Sequence, residues 1–218
     1  MTQPARRFGW TIWVGAILLV STLALAFLLA HFKTRLAWKN RLPVIGQVAD
    51  FTLTNQNGRA VSLADLKGRV WIADIIFTRC PGPCAKTTKQ MKELQDALPA
   101  AGRMKLVSLT TDPDFDTPPV LKAYSQRFGA NDERWWFLTG AKEQIAALAI
   151  ESLKLTAVEK KPEEQENPAD LFIHSTIFVV VDKRGQLRGV FQTVDEKMDA
   201  IPVQRDILGA VKYLQYER

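Results

Sequence analysis

Cysteine and histidine are scarce in this chain: 218 residues hold two of each. That scarcity leaves one site's worth of soft metal ligands and excludes a second cluster. Acidic residues are absent before Asp50, and charge of either sign is absent from Phe8 to Ala30. The uncharged run contains "WTIWVGAILLVSTLALAFLLA", which is almost wholly apolar. Roughly 20 such residues at about 1.5 Å each cross a hydrocarbon core, so the run predicts a transmembrane helix over residues 10–32 behind a short tail, 1–9. A cleaved signal peptide is the rival reading, and "ALA" (Ala24–Ala26) fits a cleavage site. Its apolar region spans only about 7–15 residues, however, and this run is longer.

A net charge of +6 invites a nucleic-acid reading, and the distribution of charge removes it. Arg6, Arg7, Lys33, Arg35, Lys39 and Arg41 flank the apolar run; without these six, 23 basic residues face 23 acidic ones. The excess sits where it meets anionic headgroups, and no phosphate-binding surface is indicated. Two of the six lie before the helix and four after it, so the positive-inside rule leans weakly toward a cytoplasmic domain.

Residues 33–49 read as a basic juxtamembrane linker in which Pro43 and Gly46 interrupt any period. The remaining residues, 50–218, form one domain. "FTLTNQNGRAVSL" alternates on both sides of Asn57-Gly58, a hairpin signal. "RVWIADIIFT" is a nearly continuous apolar run, as expected of a strand buried on both faces, and "MKLVSLTTD" reads as the next buried strand. "AKTTKQMKELQDAL" places Met91, Leu94 and Leu98 at helical spacing, and "PPVLKAYSQRFG" has proline at its start and glycine past its end. "RWWFLTG" reads as a strand and "AKEQIAALAIESLK" as a helix. Residues 156–170 are polar and acidic and read as a loop. "LFIHSTIFVVVD" and "QLRGVFQT" then read as a hairpin, and 203–216 as a closing helix. The pattern predicts an α/β fold with a central mixed sheet flanked by helices. No internal repeat interrupts it.

Both cysteines fall in "FTRCPGPCAKTT", between a buried strand and a helix. Sites in open α/β sheets lie beyond the carboxyl ends of strands, and a helix amino terminus favours the thiolate. Pro81 and Pro83 stiffen the turn and need no N–H partner there. Residues four apart on one helical face have Cβ atoms about 5–6 Å apart, which permits a shared metal or a disulfide. The bland alternative is a pair of buried core cysteines.

With "FTRCPGPC", the segments "VSLTTDPDFDTPPVLKAYSQRFG", "WWFLTG" and "IHSTIFVVVDKRGQLRG" resemble the Sco/SenC family. These are membrane-anchored, thioredoxin-like proteins that handle copper during cytochrome c oxidase assembly. The resemblance covers roughly residues 46–216. It implies a thioredoxin-like fold and copper ligands at Cys80, Cys84 and His174. Ala85 and Ile173 depart from the family pattern, where a proline and an acidic residue are common; neither removes a ligand. By itself His174, beside an apolar strand, reads as a hydrogen-bonded core residue; His31 ends the apolar helix and reads as interfacial. Two thiolates and an imidazole suit Cu(I), and imidazole also accommodates Cu(II) and zinc. Asp112 and Asp114 read as turn residues at the same end of the sheet, and Asp116 or Thr117 as a helix cap before Pro118. Asp74 reads as a satisfied buried carboxylate.

The leading function is therefore copper delivery to the copper site of a respiratory oxidase, whose copper-binding subunit or another copper protein is the partner. The alternative is a thiol–disulfide oxidoreductase using Cys80 and Cys84, although three intervening residues are one more than such enzymes usually have. A peroxidase ranks last, because Phe77 stands where peroxiredoxins place Thr or Ser. Chemistry and resemblance together outweigh the charge asymmetry. They place the domain on the periplasmic side of a bacterial inner membrane, and the amino terminus lacks an Arg- and Ser-rich transit peptide.

Overall fold

One helix carries a long run of exposed apolar side chains. This helix, α1 (Arg6–Arg41), dominates the first of two units in the computed structural model, residues 1–41 and 42–218. The structure describes residues 6–80, 83–99, 104–155, 157–159, 172–174, 177–192 and 200–217. Within α1 the stretch Ile12–Thr34 has mean hydropathy 2.5 and no buried residue. Trp10, Trp13, Leu19 and Phe27 are all exposed. Three of its hydroxyls bond within the helix: those of Ser21, Thr22 and Thr34 donate to the carbonyls of Leu18, Leu19 and His31. By length and composition this helix can cross a membrane.

The second unit begins with β1 (Gly46–Gln47), β2 (Thr52–Asn55), β3 (Ala60–Ser62) and the short α2 (Leu63–Leu66). Then come β4 (Val70–Ile76), α3 (Pro83–Ala97), β5 (Met104–Thr110), α4 (Pro118–Arg127) and β6 (Trp135–Thr139). α5 (Lys142–Ala146) runs on into a π-helical turn (Ala147–Ser152), followed by β7 (Ala157–Glu159), β8 (Phe172–His174), β9 (Ile177–Val181), β10 (Gln186–Gln192) and α6 (Ala200–Tyr216). Eight strands form one mixed sheet in the order β1-β10-β9-β4-β5-β6-β2-β3. β4, β5 and β6 run parallel, and the other pairings are antiparallel.

Every residue of β4 and β5 is buried, as the two apolar runs predict. Alternation then divides β4 between two layers. Trp71, Ala73 and Ile75 join a cluster with Leu63, Ile145 and Leu148. Ile72, Asp74 and Ile76 face the opposite side, where α3 and α6 pack on β4. Met91 and Leu94 of α3 and Val211 and Leu214 of α6 are at most 1% exposed. Burying a side chain of this size contributes about 1.5–3 kcal/mol relative to leaving it exposed.

Two segments differ from the sequence reading. "LFIHSTIFVVVD" is not one strand: β8 pairs with β7 in a separate two-stranded sheet, and β9 alone joins β10. The polar His174, Ser175 and Thr176 interrupt the apolar run where the pairing changes. Residues 160–171, most of the acidic segment, lie outside the described residues. Leu42 and Val48, in the stretch read as linker, are core residues of the second unit. The Leu42 carbonyl accepts from Nε and Nη2 of buried Arg188 at 3.0 and 2.8 Å. Arg188 also pairs with Asp182 at 2.9 Å and with Glu217.

Candidate metal centre

Parallel strands bring their carboxyl ends to one edge, and two loops meet there. Thr111 N–H donates to the carbonyl of Ile76 at 2.9 Å, so the end of β5 stays zipped to the end of β4. The chain leaves β4 through Phe77, Thr78 and Arg79 to Cys80, whose N–H turns back to the Phe77 carbonyl at 3.2 Å. α3 starts at Pro83, so Cys84 is its second residue and Cys80 lies before it.

The two cysteines meet, but not as neighbours on a helical face. Cys80 Sγ accepts the backbone N–H of Cys84 at 3.4 Å, in the manner of a capping side chain over the first turn. The two cysteines are not joined in a disulfide; Cys80 is half-buried and Cys84 is 3% exposed. The Cys84 thiol is pushed far above the ordinary thiol range. Its hydrogen bond with the Cys80 sulfur is the main cause, followed by burial and the charge of Cys80; the Phe77 backbone pulls weakly the other way. Of the two, Cys80 presents the more accessible sulfur.

Sulfurs within hydrogen-bonding reach of each other fit a shared soft metal, since metal–thiolate bonds of about 2.3 Å bridge such a separation. His174 is the last residue of β8, where its backbone pairs with Ala157. Its side chain lies outside the described residues. No group of three or more His, Cys, Asp or Glu able to hold a metal occurs among the described residues. His31 belongs to α1 and stacks on Phe27 at 6.3 Å.

The surrounding acids divide in ways the sequence reading did not capture. Asp112 does lie at the site's end of the sheet, where its Oδ2 accepts from Arg79 Nε and Nη2 at 3.1 and 2.5 Å. Asp114 is exposed. The Arg79 guanidinium also covers the ring of Phe115, 4.3 Å from its centroid. Thr117 occupies the N-cap position of α4, and Asp116 serves elsewhere: its carboxylate accepts from Thr78 and Thr110.

Asp74 is fully buried, and only one of its oxygens is satisfied. Oδ1 accepts from Ser108 Oγ at 2.6 Å, and Ser108 Oγ in turn accepts from Trp135 Nε1 at 3.0 Å. Oδ2 has no hydrogen-bond partner among the described residues. Burial pushes this carboxyl up to about 7, against the pull of Ser108. The reading of Asp74 as a satisfied carboxylate is thus corrected for half of its oxygens.

Sequence reasoning missed Thr88 and Tyr124, which support the helix start. Thr88 Oγ1 donates to the Cys84 carbonyl at 2.7 Å and bonds the Tyr124 hydroxyl at 2.9 Å. The spacing of Thr88 from Cys84 is the signal that shows the first of these bonds. Nothing local marks Tyr124.

A family model described as SCO1/SenC matches residues 45–209. The "SCO1 protein homolog" of Bacillus subtilis (strain 168) is 37% identical over 147 residues, covering 66% of this chain and 73% of that protein. The structure of BsSco, described with a disulfide switch and as a member of the Sco family of cytochrome c oxidase assembly proteins, matches with a TM-score of 0.67. Identity there is 32%, over 81% of this chain and 97% of that one. Bradyrhizobium japonicum ScoI with copper bound shares the fold at a TM-score of 0.61 and 24% identity, over 78% of this chain and 100% of that one. These matches bear out the thioredoxin-like fold that the sequence motifs implied.

Proposed function

The chain belongs to the SCO1/SenC family, and from that premise we propose that it binds one copper ion through Cys80, Cys84 and His174 and passes it to a respiratory oxidase. The observation that carries this reading is the meeting of the two cysteines at the strand-to-helix turn, where the Cys80 sulfur accepts the Cys84 N–H at 3.4 Å and the two side chains are hydrogen-bonded. Two thiolates form a soft donor pair suited to Cu(I), and a histidine would complete a three-ligand set. Copper here is cargo, so the site must release it as well as hold it. Binding requires both thiols to lose their protons, so copper affinity should rise with pH. The half-buried Cys80 is the sulfur an incoming partner reaches first. Copper-bound Bradyrhizobium japonicum ScoI and the oxidase-assembly role described for BsSco support the proposal. We place the span within α1 as a single-pass anchor at about residues 10–32, and the domain on the periplasmic side of a bacterial inner membrane.

A second reading, thiol–disulfide exchange with a partner's cysteines, is favoured by the asymmetry of the pair. A half-buried Cys80 and a buried Cys84 resemble an attacking and a resolving thiol. His174→Ala separates the two. Exchange needs only the sulfurs, whereas a copper site loses a direct ligand. Altering even an outer partner costs about 10–100-fold in metal affinity, so this variant should lose at least that much while still cycling its disulfide. Copper affinity, oxidase activity in cells and the dithiol potential are measured side by side. Normal oxidase assembly by the variant at low copper would favour the exchange reading.

A further inference from the structure

Asp116 is completely buried, although its position before Pro118 and Pro119 marks it for a helix cap. A buried carboxylate is costly unless donors surround it, and the donors here come from the cysteine loop and the strand beside it. Thr78 supplies its backbone N–H at 3.2 Å to Oδ2 and its hydroxyl at 2.5 Å to Oδ1. Thr110, at the end of β5, supplies its hydroxyl at 2.5 Å to Oδ2. Thr78 stands two residues before Cys80, and between them Arg79 is tied to Asp112. Asp116 N–H closes the same loop on the Asp112 carbonyl at 2.8 Å.

Resting on the reading that Cys80 and Cys84 hold copper, we propose that Asp116 is a positioning residue that sets the geometry of the two-cysteine turn through Thr78. The chain of restraint is continuous. Ile76 is fixed in the sheet, Thr78 is held at both backbone and side chain, and the Cys80 N–H closes on the Phe77 carbonyl. The Cys80 sulfur then reaches the Cys84 N–H at 3.4 Å with no helical backbone of its own to hold it there. Sites that bind metal tolerate misplacement of only about 0.5 Å, so the restraint on Thr78 is part of the site. Neither Asp116 nor Thr78 is a ligand. They act on copper and on the disulfide only by placing Cys80.

The test uses the full chain in mild detergent and three variants: Thr78→Val, Thr78→Ser and Asp116→Asn. Thr78→Val removes one hydroxyl donor and leaves the backbone N–H; Thr78→Ser restores the hydroxyl. Two quantities are read: Cu(I) affinity against a coloured chelator, and the dithiol–disulfide equilibrium in glutathione buffers. Thr78→Val and Asp116→Asn should each weaken copper about 10–100-fold, as replaced outer partners do. Each should move the disulfide equilibrium at least about tenfold, which is about 30 mV. Thr78→Ser should return both to within about threefold of the parent. Thr78→Val with intact tryptophan fluorescence and parental values for both quantities overturns the proposal, as does Thr78→Ser failing to rescue. If the parent chain binds no copper, the functional reading falls while the disulfide equilibrium still decides the role of Asp116.

Discussion

Asp74→Asn should abolish a pH dependence of stability that the parent carries between about pH 4 and pH 7. In the folded chain the carboxyl is pushed up to about 7 by burial, from an ordinary value of 3.8. The folded state thus binds more protons than the unfolded state in that window, and stability falls as pH rises. Stability from this group is complete below the unfolded value and lost as pH climbs through the folded one. At about 1.36 kcal/mol per unit, the loss is about 1 kcal/mol at pH 4.5 and about 4 kcal/mol at pH 8. The difference in unfolding free energy between parent and Asp74→Asn should therefore change by about 3 kcal/mol across that range. The assay is urea denaturation of the reduced, metal-free chain in detergent, followed through Trp71 and Trp135, which are buried in the core. An asparagine still accepts from Ser108, so absolute stability can move either way and only the slope decides. Slopes that agree within about 0.5 kcal/mol over the range would refute the reasoning.

Arg188→Ala should cost about 3–5 kcal/mol in the same assay, because it strands buried Asp182 and the Leu42 carbonyl. Arg188→Lys should recover only part, since an ammonium has no fork; a loss below about 1 kcal/mol for alanine would count against this account. Oxidation to a Cys80–Cys84 disulfide should release copper, because thiolates are the strong ligands. Copper retained equally before and after oxidation, with the disulfide confirmed by mass, would argue against a two-thiolate site. An alkaline phosphatase fused after Arg218 should be active in cells. A silent phosphatase and a bright cytoplasmic reporter would mean that the basic residues after the span set the orientation.

The central strands and α3 were legible because one chemical signal decides each. A run such as Val70–Ile76, apolar at every position but Asp74, has no exposed face to give it, and Met91, Leu94 and Leu98 can share a core only on a helix. The cysteine turn was legible in position but not in geometry. Spacing brings Cys80 and Cys84 together, while the cap-like contact depends on where α3 begins. Asp116 shows the limit most clearly. The sequence offers Asp116 or Thr117 as the cap before Pro118; Thr117 takes the N-cap position, and Thr78, 38 residues before Asp116, engages that carboxylate instead. Asp74 failed for the opposite reason. Burial was evident from its neighbours, but the missing partner for Oδ2 is a property of the packed layers, which no local pattern encodes.

The account's central claim is that the two cysteine sulfurs form a copper site, and a metal titration tests it most directly. The reduced full chain in detergent is titrated anaerobically with Cu(I) against a competing chelator, beside Cys80→Ser, Cys84→Ser and a parallel zinc titration. One copper per chain, held in preference to zinc and lost in both serine variants, is the result expected of a thiolate pair. No copper retained, a preference for zinc, or undiminished binding in either serine variant would contradict it.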